Sequence, residues 1–90
     1  MMTLEETKDL MCSPDYKERF KAEYYQLKIR YEKLKAMCKK WDKGELDFTP
    51  TCPRYIYVRQ LDKMAGYLSM LKQRAEIEGV ELEWEKLSKF

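Results

Sequence analysis

Apolar residues recur through the first half of the chain at alternating spacings of four and three, between Tyr16 and Trp41. The members of this stripe are Phe20, Tyr24, Leu27, Tyr31, Leu34, Cys38 and Trp41. Such spacing is typical of one side of a long helix. A helix of this length extends about 40 Å at about 1.5 Å per residue, and its stripe is buried only against another long helix.

A second stripe with the same spacing starts at Tyr57. Its members are Tyr57, Leu61, Met64, Leu68, Leu71 and Ala75. The two stripes are separated by Gly44, which can take the left-handed conformation that ends a helix, and by a proline-containing run. The sequence therefore predicts an antiparallel helical hairpin, with long helices at residues 14–42 and 53–78 and a connection at residues 43–52.

Shorter segments precede and follow this hairpin. The TLEE run at residues 3–6 has the pattern of a capping box and predicts a short helix over residues 4–11. Ser13 is expected to cap the next helix, with proline at its first position. Residues 80–90 fit a strand by alternation and a helix by spacing, and we expect a short helix or ordered tail because no second strand is evident. The predicted fold class is all-α, in one domain of 90 residues.

Charge is distributed unevenly, although 18 basic and 16 acidic residues leave a net charge of only +2. Residues 16–41 carry nine Lys or Arg and three Glu, so this helix is basic, whereas residues 1–15 carry one Lys and four acids. The chain has no His, no glycine-rich phosphate loop and no nucleophile motif. We therefore expect a protein that is not an enzyme and uses no cofactor.

The cysteines Cys12, Cys38 and Cys52 are odd in number and lack the close pairs of zinc sites. We expect three reduced thiols and no metal, with Cys38 packing as a small apolar side chain; the sequence assigns no further role to the three. No apolar run is long enough to cross a membrane, and the acidic start does not resemble a signal peptide. The expected location is the cytoplasm.

Lys21, Lys28 and Lys35 repeat every seven residues along one flank of the first stripe, with Tyr31 among them. Lysines mixed with tyrosines can hold phosphates and stack on bases, so this face is a candidate for binding nucleic acid or a nucleotide. Lysines beside a helical seam also shield the core with their methylene stems and serve only solubility. Both interpretations stay open.

A further set of apolar and aromatic residues lies off the two stripes, with Tyr25 and Ile29 on the first helix and Tyr67, Met70 and Arg74 on the second. Either the terminal segments cover these residues, or they form an interface in which Tyr, Met and Arg act as anchors. Because the predicted core is small, self-association is expected to add stability, with a homodimer or higher oligomer as the result.

Several short motifs lie along both long helices: the run Asp15-Tyr16-Lys17-Glu18-Arg19, then Glu23-Tyr24, Leu27, Arg30 and Glu32-Lys33-Leu34, and on the second helix Gln60-Leu61, Met64, Tyr67-Leu68, Leu71 and Arg74. In these motifs, over about residues 15–82, the chain resembles a family of short helical-hairpin proteins from phages and prophages of gut bacteria, including crAss-like phages. It implies a small accessory protein in the cytoplasm of a bacterial host.

With no catalytic residues evident, this setting favours a protein that binds a bacterial host protein, for example an inhibitor of antiviral defence such as an anti-CRISPR. The alternatives are a nucleic-acid-binding protein, a sponge for a signalling nucleotide, and a structural hairpin.

Overall fold

Three helices make up the fold in the computed structural model, which describes residues 3–82. They are α1 (Thr7–Met11), α2 (Tyr16–Asp42) and α3 (Arg54–Glu78). The two long helices pack against each other as a hairpin, and α1 packs against α2. No strand occurs within the described range. The predicted all-α hairpin with a short N-terminal helix is confirmed.

The N-cap residue of α2 differs from the prediction. Asp15, in extended conformation, is the N-cap, and its carboxylate accepts a hydrogen bond from the Lys17 amide at 3.0 Å. Ser13, the predicted cap, lies outside the helix: its hydroxyl accepts from the Asp15 amide at 3.0 Å and donates to Glu18. Because Asp15 is extended, its carboxylate reaches the free Lys17 amide, while the Ser13 hydroxyl is already used by the Asp15 amide, which explains the shift.

Glycines end both long helices, as their positions in the sequence predict. Gly44 has φ 71° after α2, and the Glu45 amide donates to the Lys40 carbonyl at 2.9 Å. Gly79 has φ 72° after α3. Backbone amides beyond each left-handed glycine thereby satisfy carbonyls of the last helical turn.

The first helix is shorter than predicted, since α1 covers Thr7–Met11 and not residues 4–11. The Thr3 hydroxyl accepts from the Glu6 amide at 3.2 Å, so half of the predicted capping box forms. The Glu6 carboxylate accepts from the Thr3 hydroxyl and not from its amide. The preceding turn is therefore capped without being α-helical.

The buried core is concentrated at the end of the hairpin where α1 and the segment after α3 add to the two long helices. Its members are Phe20, Tyr24, Tyr25, Ile29, Leu68, Leu71, Ala75, Val80 and Leu82. Of the predicted core, Leu27, Leu34 and Leu61 are only half-buried. Leu27 packs against this cluster at its edge, whereas Leu34 and Leu61 lie nearer the connection, where two helices alone cannot enclose every position of a stripe.

The predicted segment at residues 80–90 is described only as far as Leu82. Val80 and Leu82 are buried and non-helical, and the Val80 amide donates to the Ala75 carbonyl at 2.9 Å. The prediction for residues 83–90 lies outside the described part of the chain.

All three thiols are free: Cys38 is buried in the seam, Cys52 is half-buried and Cys12 is exposed. Within residues 3–82 no group of His, Cys, Asp and Glu is arranged to hold a metal ion. None of the helices in that range is long and apolar enough to span a membrane.

Candidate anion-binding cleft

An open cleft of about 310 Å³ lies between the middle of α2 and the middle of α3. Its lining residues are Lys28, Tyr31, Glu32, Lys35, Ala65, Leu68, Ser69 and Lys72. On each helix the four positions follow the spacing i, i+3, i+4 and i+7, which places them on one side of that helix. The hairpin brings the two sides together, and the small side chains Ala65 and Ser69 leave the space open.

The cleft carries positive charge beside an aromatic ring. Three lysines and one carboxylate give a formal charge of 3 − 1 = +2 among its lining residues. The Lys28 ammonium lies 3.2 Å from the Glu32 carboxylate, and its side chain is only 12% exposed. The Lys35 ammonium lies 5.7 Å from the centre of the Tyr31 ring. An anion that also offers a flat ring would meet both charge and a stacking surface here.

The structure brings together three of the four residues proposed for anion binding. Lys28, Tyr31 and Lys35 line the cleft, whereas Lys21, which is half-buried, lies outside its lining. Lys72 was not identified from the sequence. Lys72 could have been predicted only from the register of the antiparallel hairpin, which sets residues near 70 beside residues near 30.

The other proposed surface is only partly exposed. Tyr25 and Ile29 are 4% and 6% exposed, because they belong to the core cluster together with residues of α1 and of the segment after α3. The Gln26 amide donates to the Thr7 hydroxyl at 3.0 Å, which fixes α1 on this side of α2. The expectation that Tyr25 and Ile29 face a partner is therefore corrected: the chain's own terminal segments cover them.

The three α3 residues of that surface are exposed, but two of them have partners within the fold. The Tyr67 hydroxyl donates to the Glu23 carboxylate, and this bond raises the tyrosine pKa. The Arg74 guanidinium lies 4.9 Å from the Phe20 ring centre. Met70 remains as an exposed apolar side chain.

A polar clamp joins the start of α2 to the end of α3. The Tyr16 hydroxyl donates to the Glu78 carboxylate at 2.6 Å, and Arg74 donates to both residues, to Glu78 at 3.2 Å and to the Tyr16 oxygen at 2.9 Å. The hydrogen bond between Tyr16 and Glu78 raises the pKa of the tyrosine and lowers the pKa of the carboxyl group. The hydrogen bond from Arg74 lowers the pKa of Glu78 further.

A second clamp lies at the connection. Arg54 donates to both oxygens of Asp42, at 3.2 and 3.1 Å, and its guanidinium lies 5.7 Å from the centre of the Trp41 ring. The arginine bond lowers the pKa of Asp42. The hairpin is thus fixed at both ends, with the cleft in its middle.

A second open cleft, of about 380 Å³, lies where the connection folds against the end of α2. Its lining residues are Lys33, Ala36, Met37, Lys40, Glu45, Leu46, Asp47 and Phe48. Two lysines and two carboxylates cancel, so this cleft offers no net attraction for an anion. The cleft between α2 and α3 is the better candidate for binding a charged ligand.

The fold and the cleft define a small all-α hairpin with an open, basic cleft beside an aromatic ring. This chain belongs to the Sequestin family, because the model of that family matches residues 14–77. The match includes α2, the connection, α3 up to Ile77 and every residue of the cleft, and leaves out α1. Membership suggests a small binding protein. Neither the curated proteins nor the solved structures contain a match to this chain.

Proposed function

We propose that this protein binds a small anionic ligand of the nucleotide class in the cleft between α2 and α3 and sequesters it without chemical change. The observation that carries the proposal is that Lys28, Lys35 and Lys72 line one cleft together with Tyr31, whose ring centre lies 5.7 Å from the Lys35 ammonium. The cleft volume of about 310 Å³ lies at the lower end of the range of ligand pockets, about 300–1,000 Å³. The family name itself suggests sequestration.

Each part of a nucleotide has a counterpart among the lining residues. Ammonium groups hold phosphate oxygens, and a tyrosine ring stacks on a base with about 1–3 kcal/mol. Glu32 supplies a carboxylate that can accept hydrogen bonds from the N–H groups of a base. The carboxylate and the serine hydroxyl of the cleft have other partners, since Glu32 pairs with Lys28 at 3.2 Å and Ser69 accepts from the Gln73 amide at 3.3 Å, which favours binding over catalysis.

The setting that we propose is a bacterial cytoplasm in which a phage or prophage protein withdraws a signalling nucleotide of the host's antiviral defence. The resemblance to short hairpin proteins of phages of gut bacteria supports this setting. Sequestration acts in proportion to the amount of the binding protein, which a small, easily produced chain can supply.

Binding to a bacterial host protein is the second candidate, and the exposed Met70 and Ile77 side chains favour it. Apolar side chains on an outer helix face are typical anchors of protein interfaces. It ranks second because Tyr25 and Ile29 are buried, while Tyr67 and Arg74 are held by residues of the same chain.

The test is calorimetric titration with mononucleotides, cyclic dinucleotides and short single-stranded RNA, at low and moderate salt. We expect Lys35→Gln to weaken binding about tenfold, since a charge-assisted hydrogen bond contributes about 1.5–3 kcal/mol. Lys63→Gln is the matched control, because Lys63 is exposed on α3 outside the cleft.

Recovery of the ligand unchanged after incubation supports sequestration over turnover. The proposal is overturned if none of these ligands binds. It is equally overturned if Lys63→Gln weakens binding as much as Lys35→Gln, because the attraction would then come from overall charge and not from the cleft.

A further inference from the structure

The second open cleft, where the connection folds against the end of α2, joins apolar side chains with charges of both signs; we call it the connection cleft. Its α2 side consists of residues 33, 36, 37 and 40, and their spacing puts them on one side of the helix. Its other side is the run of residues 45–48, in which acidic and apolar side chains alternate. Its volume of about 380 Å³ falls within the range of ligand pockets, about 300–1,000 Å³.

Backbone geometry holds a carboxylate and an ammonium group next to each other in the connection cleft. After Gly44, at φ 71°, the Glu45 amide donates to the Lys40 carbonyl at 2.9 Å. This bond brings the backbone of Glu45 beside that of Lys40, so the two side chains start from neighbouring points. The bond of Arg54 to Asp42 fixes the connection at the start of α3. Opposite charges are therefore placed by the fold and not by an ion pair between them.

The four charged side chains of the connection cleft are without side-chain partners among residues 3–82. Neither an ion pair nor a side-chain hydrogen bond within that range involves Lys33, Lys40, Glu45 or Asp47. Two positive and two negative charges give a formal charge of 2 − 2 = 0. A ligand of one sign gains no net attraction from such a cleft, whereas a ligand that carries both signs finds a partner for each.

Apolar side chains alternate with these charges and stay in contact with water. Phe48 is 53% exposed, and Met37 and Leu46 are only partly buried. An aromatic ring that packed on Phe48 would remove apolar area from water and add a contact between rings. The connection cleft thus matches a small ligand that joins a positive group, a negative group and an aromatic ring.

We propose that the connection cleft binds a free aromatic amino acid. Such a molecule carries its ammonium and carboxylate groups on one carbon, so the two meet Glu45 and Lys40, which the backbone holds side by side. Its ring packs on Phe48. The terminus of a peptide offers only one of the two charges, which favours the free amino acid over a partner chain. This inference is independent of the proposed function, because the two clefts share no residue.

The experiment is a titration of the full chain with phenylalanine, followed by the NMR shifts of the backbone amides, which give both the affinity and the location of binding. We expect shifts in residues 45–48. Three related ligands each lack one part: N-acetylphenylalanine lacks the ammonium group, phenylalaninamide the carboxylate, and glycine the aromatic side chain. Each should bind at least about fivefold more weakly, which corresponds to about 1 kcal/mol.

Variants of the chain remove the same contacts from the other side. Lys40→Gln and Phe48→Ala should each weaken phenylalanine binding at least about fivefold. Lys39→Gln is the matched control, because Lys39 is the neighbouring exposed lysine and lies outside the connection cleft; its affinity should equal that of the wild type. Lys40→Gln should leave nucleotide binding unchanged, since Lys40 lies outside the cleft between α2 and α3.

The inference is overturned if phenylalanine causes no shift in residues 45–48. It is also overturned if a blocked form binds as tightly as phenylalanine, because one charge would then suffice. The same holds if Lys39→Gln weakens binding as much as Lys40→Gln, since overall charge would then account for it. The proposed function fails separately: a chain that binds no nucleotide would still bind phenylalanine in the connection cleft.

Discussion

Leu71→Ala tests the position of the core most directly. Leu71 is 1% exposed and lies in the cluster that α1 and the segment after α3 enclose. Burial of a leucine side chain contributes about 1.5–3 kcal/mol, and the cavity left by its removal raises the loss to about 2–5 kcal/mol. We expect the upper part of that range, because aromatic rings such as Tyr24 cannot collapse into the space.

The size of this loss is large for such a chain. At about 0.05–0.15 kcal/mol per residue, 90 residues have a stability of about 5–13 kcal/mol, so Leu71→Ala removes a third or more of it. The matched variant is Leu34→Ala, because Leu34 lies on the same stripe as the core residues of α2 but is only partly buried. Because part of its side chain is already exposed, Leu34→Ala should cost less than Leu71→Ala, about 1–2 kcal/mol.

Urea denaturation followed by circular dichroism measures both losses as a change in midpoint at constant slope. The expected order is a much lower midpoint for Leu71→Ala than for Leu34→Ala. Equal losses would refute the reasoning, because they would mean that the core is continuous along the whole hairpin. An unchanged midpoint for Leu71→Ala would refute the assignment of the core itself.

Two further predictions concern the end of α3. The pKa of Glu78 is lowered from its ordinary 4.5 by the Tyr16 hydroxyl and then by Arg74, so the clamp adds stability above that value and loses it as the pH falls through the lowered pKa. Glu78→Gln should flatten this part of a plot of urea midpoint against pH, and identical plots for both proteins would contradict the clamp. Gly79→Ala, at φ 72°, should cost about 1 kcal/mol and lower the melting temperature by about 4–8 °C; an unchanged melting temperature would mean that the left-handed cap does not form.

The long helices were predictable because their signals are local and repeated. Each stripe needs only the 3.6-residue period, and the glycines at 44 and 79 act through their own backbone. The cap of α2 was not predictable to the residue. Ser13 and Asp15 both have suitable side chains, and the path of the chain decides which of them reaches the free amides.

The candidate site was only half predictable, because it is assembled across the hairpin. The spacing along α2 placed Lys28 and Lys35 on one flank, but Lys72 enters through the register between two helices, which no local pattern specifies. For Tyr25 and Ile29 the sequence left two alternatives open: either a terminal segment covers them, or they form an interface with a partner. The choice depended on whether a five-residue helix docks, and a helix that short is stable only through its tertiary contacts.

The position of the cleft follows from how the hairpin is stabilised. Both ends are closed, one by the core and the Tyr16 clamp and the other by Arg54 on Asp42. Between them two helices face each other with small residues on α3, so space remains open on a rigid frame. Lys28 is already held in place there by Glu32. For the ligand proposed above, Lys28 would be positioned before binding, whereas the exposed Lys35 and Lys72 side chains would lose conformational freedom on binding. The proposed ligand would have to compete with Glu32 for Lys28. We therefore expect tighter binding of ligands that offer N–H donors to the carboxylate as well as phosphate to the lysines.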